Sequence, residues 1–233
     1  MKDYEISHIF TEEELLRLWN SIDKERDRLM FRLMYHLALR PSEVVEIDVR
    51  DINFSEKKIR IFVRKKGRRT AEEKKRGIKR KPVPIDKPIT DEWLLDNLKF
   101  YVADKQRGLL FPSRKKTKDG KEKPLTVTQV EQLFNKYCTK VFGEPDFGEI
   151  IAKSNYKSKQ EKFKKRWNPH LLRHARAIHL LDKGVSVENI RRILAHTDLK
   201  VTQIYLNKTL EDIRQELLQK EGKIMPYEKG RWR

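Results

Sequence analysis

Apolar residues recur along this chain at two different periods, and the places where the period changes mark out its elements. Thr11-Glu-Glu-Glu14 has the form of a capping box, in which a hydroxyl and a carboxylate satisfy first-turn N–H groups. Leu15, Leu16 and Trp19 follow at helical spacing. A second helix is predicted over about Asp23–Leu39, with Leu29, Leu33, Met34 and Leu37 on one side. Pro41 is expected to stop it just after Arg40. A short helix near Ser42 would carry Val44, Val45 and Ile47. From Ile52 the period drops to two. Ile52 and Phe54, then Ile59, Ile61 and Val63, then Val83 and Ile85 alternate with polar neighbours, which predicts a small antiparallel sheet of about three strands. The last connection in that sheet, Arg64 to Lys81, is unusually long.

The helical period returns near Thr90, where Trp93, Leu94 and Leu98 form a stripe, and again after Thr128, whose partner Glu131 suggests a second capping box. Val130, Leu133, Phe134 and Tyr137 fall at i, i+3, i+4 and i+7, a core face that gives Tyr137 a structural role. The pattern is weak from Val141 to Arg166. Asn168-Pro169 then opens a helix from His170 to about Asp182, which Gly184 ends. Ser186 caps the next, with Val187, Ile190, Ile193 and Leu194 inward. Further helices are predicted over about Leu199–Lys208 and from Leu210. There is no internal repeat and no low-complexity linker. The pattern predicts an α+β, mainly α-helical single domain over residues 1–233, with a core of about 10–210 and a C-terminal helix and tail over 210–233.

Composition narrows the partner. The 54 lysines and arginines against 35 acids give a formal net charge of +19. The basic residues cluster in three runs. Arg64–Lys81 has Glu72 and Glu73 as its only acids, and Arg114–Lys123 and Lys153–Arg166 are similarly biased. One such run is an ordinary solvated loop, but three in one domain point to a nucleic-acid backbone, where neutralising phosphates releases counterions. Arg64, Lys65, Arg68, Arg69, Lys115, Lys116, Lys164, Lys165 and Arg166 are the candidate DNA contacts. The runs lack the interleaved large apolar residues of a membrane-surface helix. Apolar runs such as Leu109–Phe111 fall far short of the roughly 20 residues that cross a bilayer. The N-terminal stretch Met1-Lys-Asp-Tyr-Glu-Ile6 lacks signal-peptide form. A single cysteine, Cys138, excludes an intramolecular disulfide and fits a reducing, cytoplasmic setting.

Candidate chemistry begins at His170-Leu-Leu-Arg173, which sets an imidazole and a guanidinium on neighbouring positions in a first helical turn. The helix N-terminus favours an anion, and the arginine fork can hold two phosphate oxygens. Alone the pair has an ordinary reading as helix surface, and its weight comes from the set it belongs to. Leu39-Arg-Pro-Ser-Glu43 resembles the motif around the first catalytic arginine of tyrosine recombinases and phage integrases. His170-Leu-Leu-Arg-His174 resembles their His-x-x-Arg box, Leu194-Ala-His-Thr-Asp198 their Leu-Gly-His segment, and Val201-Thr-Gln-Ile-Tyr205 their nucleophile segment. The four pieces stand in the family's order over about residues 10–210.

The resemblance implies the recombinase catalytic-domain fold, a small three-stranded antiparallel sheet included. It also implies a reaction in which Tyr205 attacks a DNA phosphodiester to give a 3′-phosphotyrosyl link and a free 5′-hydroxyl. A phenol with an ordinary pKa of about 10 needs a proton acceptor, and His170 takes that place. Arg40 and Arg173 would grip the non-bridging oxygens where other phosphoryl-transfer enzymes place metal ions, so no metal or cofactor is implied. His196 would add a hydrogen bond to the phosphate. A lysine on a strand-to-strand turn would be the general acid. Lys66, just before Gly67, is the choice, and Lys65 is the alternative because the long connection blurs the register. Glu43 would support the site by hydrogen bonding, and His174 and His179 are read as structural. A zinc site from His170, His174 and His179 lacks the acidic neighbour of a hydrolase.

Ala38 and Ala195 stand where the family commonly has glycine, and both are read as small swaps. Integrases also carry an N-terminal core-binding domain of about a hundred residues, and the stretch before Thr11 is too short for one. The expectation is therefore a catalytic domain with weak DNA binding and slow cleavage on its own. Double-stranded DNA is the implied partner, with a homotetramer on paired sites and a monomer without DNA. The setting would be the cytoplasm of a prokaryotic host, with the chain encoded by a virus or other mobile element and serving its integration. A type IB topoisomerase shares the chemistry, and a non-catalytic DNA-binding protein on the same fold is the other competing class.

Overall fold

The computed structural model of the chain describes residues 8–63, 82–145 and 167–195. The capping box at Thr11 forms as its sequence predicts: Thr11 Oγ1 accepts from Glu14 N (3.1 Å) and Glu14 Oε2 accepts from Thr11 N (2.9 Å), opening α1 (Glu12–Ser21). Next comes α2 (Glu25–His36). It ends three residues before the predicted Leu39, and proline is not the cause. Ala38 adopts a left-handed φ of 49°, which breaks the helical path, and Leu37 N still reaches Leu33 O. Pro41 instead opens α3 (Pro41–Val44), where its missing N–H and fixed φ suit a first helical position.

A 3₁₀ turn (Val49–Asp51) leads into β1 (Ile52–Asn53), β2 (Lys58–Val63) and β3 (Val83–Pro88). They form an antiparallel three-stranded sheet in the order β1-β2-β3, with Ile52 opposite Ile59 and Val63 opposite Val83. The basic run 64–81 therefore joins two paired strand ends. Then follow α4 (Glu92–Val102), α5 (Val127–Phe142), α6 (His170–Asp182) and α7 (Val187–Leu194). Two predicted boundaries shift. The capping box of α5 is Thr126 with Gln129, not Thr128 with Glu131. The buried face of α4 is Leu94, Leu95, Leu98 and Val102, while Trp93 lies outward under the Arg32 guanidinium, 3.5 Å from ring centroid to Cζ.

Helix α2 is the central element, packed against α4 and α6. Most of its length is buried, and Phe31 sits with Phe10, Phe111 and Phe134 in the main core, where Trp167 stacks on Phe10 at 5.5 Å. A second, smaller cluster of Ala38, Ala177, Leu180, Ile190 and Leu194 packs α6 and α7 under the end of α2. Asp27 is fully buried, receives Arg26 Nε and Nη2 at 2.8 and 2.6 Å, and accepts the Tyr137 hydroxyl at 2.9 Å. Burial, and then this bond to a carboxylate, push the Tyr137 hydroxyl up to about 12, so it stays a donor throughout the physiological range. A hydrogen bond to a buried charge contributes about 1.5–3 kcal/mol. Tyr137→Phe is therefore expected to lower the unfolding free energy by about 2 kcal/mol in urea melts and to leave DNA binding unchanged. A loss of DNA affinity with stability intact would show that Tyr137 does more than hold the core.

Candidate active site at the meeting of two helix ends

The C-terminal ends of α2 and α7 meet, and each ends in the same way. Ala38 follows α2 and Ala195 follows α7, both at a left-handed φ of 49°. That backbone is open to glycine at no cost, whereas an L-residue pays about 1–2 kcal/mol. This is the physical content of the two alanines that replace the commoner glycines. At such an end the last carbonyls lack intrahelical donors, and they carry the negative pole of the helix dipole.

Arg173 answers that need from α6. Its side chain is 4% exposed, and its Nη1 and Nη2 donate to Ala38 O and Leu194 O, tying the two ends together across 135 residues of sequence in the first case. A guanidinium has five N–H donors in a planar fork, and these two bonds fix its orientation. Arg40 lies two residues beyond Ala38. Its backbone N–H donates to Glu43 Oε2 at 2.8 Å and its Nη1 to Glu43 Oε1 at 2.6 Å. Glu43 is 5% exposed, and Oε2 also lies 4.0 Å from Arg173 Nη1. One buried carboxylate is thus shared by both arginines. It keeps like charges side by side and leaves Arg40 partly exposed.

His170 is the first residue of α6, one turn before Arg173, and its backbone N–H donates to Asn168 Oδ1 at 2.9 Å. His174 is pushed down to about 4, by burial first and then by the charges of His170 and Arg173, and so stays neutral. His179 is turned to the Tyr35 hydroxyl at 2.7 Å, in keeping with a structural role. Among the described residues no three His, Cys, Asp or Glu side chains converge as a metal site would require. Lys115 and Lys116 are exposed on the loop between Ser113 and Lys123, whose ends are joined by Ser113 N to Lys123 O at 2.7 Å. His196, Tyr205, Lys66, Arg64, Lys65, Arg68, Arg69, Lys164, Lys165 and Arg166 lie outside the described residues.

Sequence reasoning overlooked Lys87. It is 3% exposed, with Nζ at 2.6 Å from Leu37 O and 2.6 Å from Ile193 O. The signal was available: Val83, Ile85 and Lys87 share one face of β3, so the period of two places this lysine inward, opposite Ile59. Burial, followed by the Arg173 and Arg40 charges and opposed by Glu43, pushes its ammonium down to about 7.

Comparison with known proteins gives a consistent result. The profile of the phage integrase family matches residues 8–211. Tyrosine recombinase XerA of Pyrococcus furiosus is 32% identical over 210 residues, covering 88% of this chain and 59% of that protein. Tyrosine recombinase XerC of Mycobacterium tuberculosis is 28% identical over 193 residues, covering 81% of this chain and 52% of that one. The chain thus spans little more than half the length of these relatives. Among solved structures, that of XerA recombinase superposes with a TM-score of 0.60 at 17% identity, over 97% of this chain and 66% of that chain. XerH site-specific recombinase, bound to a palindromic difH substrate in a post-cleavage complex, superposes with a TM-score of 0.59 at 16% identity, over 93% of this chain and 54% of that one. At these identities the superpositions establish the fold.

Two outcomes follow from the helix ends. Ala195→Gly removes about 1–2 kcal/mol of left-handed strain and adds about 0.4–1 kcal/mol of unfolded-chain entropy. A net gain of about 0.5–1 kcal/mol is expected, read as a melting temperature about 1–4 °C higher, and a lower one would contradict the strain. Lys87 makes stability depend on pH. Below pH 7 folded and unfolded chains both hold its proton, and the folded state bears the full cost of a buried charge. Between its folded value of about 7 and the model value of 10.5 the unfolded chain keeps a proton that the folded chain releases, so stability rises with pH. The unfolding free energy of the wild type minus that of Lys87→Met should therefore climb from pH 7 to pH 10, by at most about 1.4 kcal/mol per pH unit. A flat difference would show that Lys87 is not buried as described.

Proposed function

The chain belongs to the phage integrase family, and on that premise we propose that it is the catalytic domain of a site-specific DNA recombinase that cuts and rejoins duplex DNA through Tyr205. The observation that carries the reading is the convergence of Arg40 and Arg173, distant in sequence, on one buried carboxylate at the meeting of two helix ends. Such a pair supplies fixed positive charge to a phosphate whose negative charge grows as it is attacked. In the proposed step Tyr205 Oη bonds to phosphorus while the P–O5′ bond breaks. The phenolic proton passes to His170, and Lys66, or Lys65 beside it, protonates the leaving 5′-oxygen. Arg40 and Arg173 hold the non-bridging oxygens, and His196 donates to the same phosphate. The phosphotyrosyl bond conserves the energy of the broken one, so attack by a 5′-hydroxyl reverses the step without ATP.

The partner is double-stranded DNA, approached by the basic runs. Exposed Lys115 and Lys116 support this, and solved proteins of the same fold are in complex with DNA. Binding then weakens steeply as salt rises. Exchange of strands between two sites calls for four copies on paired sites, which separates a recombinase from a topoisomerase that acts as a monomer. Among the described residues no helix is long and apolar enough to cross a membrane. A cytoplasmic setting in a prokaryotic host suits both the DNA partner and the single buried thiol of Cys138.

A nicked suicide duplex, which loses its 5′-hydroxyl fragment after cleavage, tests the reading. The wild type is expected to form a covalent protein–DNA adduct, Tyr205→Phe none, and Arg40→Ala an adduct about 100-fold more slowly. Equal failure of wild type and Tyr205→Phe on a library of such duplexes would remove the enzyme and leave a DNA-binding protein.

A further inference from the structure

Arg173 is not the only cation at the meeting of the two helix ends. It holds Ala38 O and Leu194 O, and Lys87 holds Leu37 O and Ile193 O, in each case the residue just before. We propose that Lys87 is a positioning residue for strand cleavage, a staple that fixes the end of α2 to the end of α7 and so sets Arg40 against Arg173. The inference rests on the recombinase reading of this pocket and adds a component to it.

Three observations carry it. First, Lys87 is 3% exposed and its Nζ is engaged by two main-chain carbonyls, so it is not placed to touch a duplex lying on the surface. Second, the carbonyls it holds sit at the C-terminal poles of two helices, where donors and positive charge are both favourable. Without Lys87 the hydrogen-bonded tie between the two ends, above the apolar contact of Ala38 with Leu194 and Ile190, would run through Arg173, and a phosphate would then compete with that tie for the same guanidinium. Lys87 keeps the helix ends joined while Arg173 also serves an anion. Third, the staple is mounted on the sheet: Lys87 pairs with Ile59 in the β2–β3 ladder, with Arg60 opposite Asp86 beside it. The charged groups around it are Arg173, Glu43 and Arg40. A neutral amine retains two N–H bonds for the two carbonyls, so the staple holds on either side of the lysine's ionisation.

The test compares wild type with Lys87→Met on a short nicked duplex, reading DNA affinity, the rate of adduct formation and amide hydrogen exchange. The variant should bind within twofold of wild type and form adduct at least tenfold more slowly. Amides 38–40 and 194–195 should exchange at least tenfold faster, with α5 unchanged. Adduct formation within twofold of wild type overturns the proposal, as does a slowing matched by an equal loss of affinity, or unchanged exchange at the two helix ends. If Lys87→Met does not fold by circular dichroism, Lys87→Gln, which keeps two N–H donors on a shorter stem, is held to the same exchange criterion at reduced amplitude. Absence of adduct from the wild type would count against the recombinase reading, and Lys87 would then stand or fall on the exchange data alone.

Discussion

Where two helices end against each other, their last carbonyls need donors that neither helix supplies, and a buried carbonyl left without one costs about 1–3 kcal/mol. In this protein four such groups, on Leu37, Ala38, Ile193 and Leu194, are met by two cations, Lys87 and Arg173. The rest of the site follows from that arrangement. Arg173 can be buried because carbonyls, the helix poles and Glu43 surround it with negative potential. Glu43 can be buried because α3, opened by Pro41, turns its carboxylate back onto the Arg40 N–H and guanidinium. The small second core of Ala38, Ala177, Leu180, Ile190 and Leu194 lies beneath and keeps the two ends in contact.

Among the described residues the electrostatic result is a cluster with more fixed positive charge than Glu43 balances. Glu43 orients the arginines and prevents mutual repulsion from spreading them, but it does not neutralise both. An anion entering there completes the charge balance, and a phosphodiester whose charge rises during attack gains more than one at rest. Burial keeps His174 neutral, so it adds no further positive charge beside Arg173. Stability and the proposed function are in tension at this point: the left-handed alanines and the buried Lys87 cost folding free energy, and they sit where the geometry of the proposed phosphate site is set.

Much of this was legible before any coordinates. The capping box at Thr11, the three-stranded sheet and the helix from His170 follow directly from hydrophobic period and cap chemistry, which are local properties. Motif order brings Arg40, Glu43 and Arg173 together by resemblance, and the fold joins them through direct contacts. What escaped is non-local. The end of α2 was assigned to Pro41, although the backbone turns at Ala38, because only the opposing end of α7 reveals why a left-handed residue is needed there. Lys87 was hidden by its charge, since its inward register was plain in β3 but a lysine is seldom buried without partners that distant segments provide. The Thr126 cap was displaced by two residues because Thr128 and Glu131 offer an equally good local pattern.

The proposed reaction requires Arg40 and Arg173 to cradle one DNA phosphate within bonding reach of Tyr205. A crystal structure of the protein on a nicked duplex with orthovanadate in place of the scissile phosphate tests it most directly. Vanadium is expected to be bonded to Tyr205 Oη, with its equatorial oxygens held by both guanidinium groups and the helix ends still joined through Lys87. Vanadate bound elsewhere, or Arg173 turned away from it and engaged only with Ala38 and Leu194, would contradict the account.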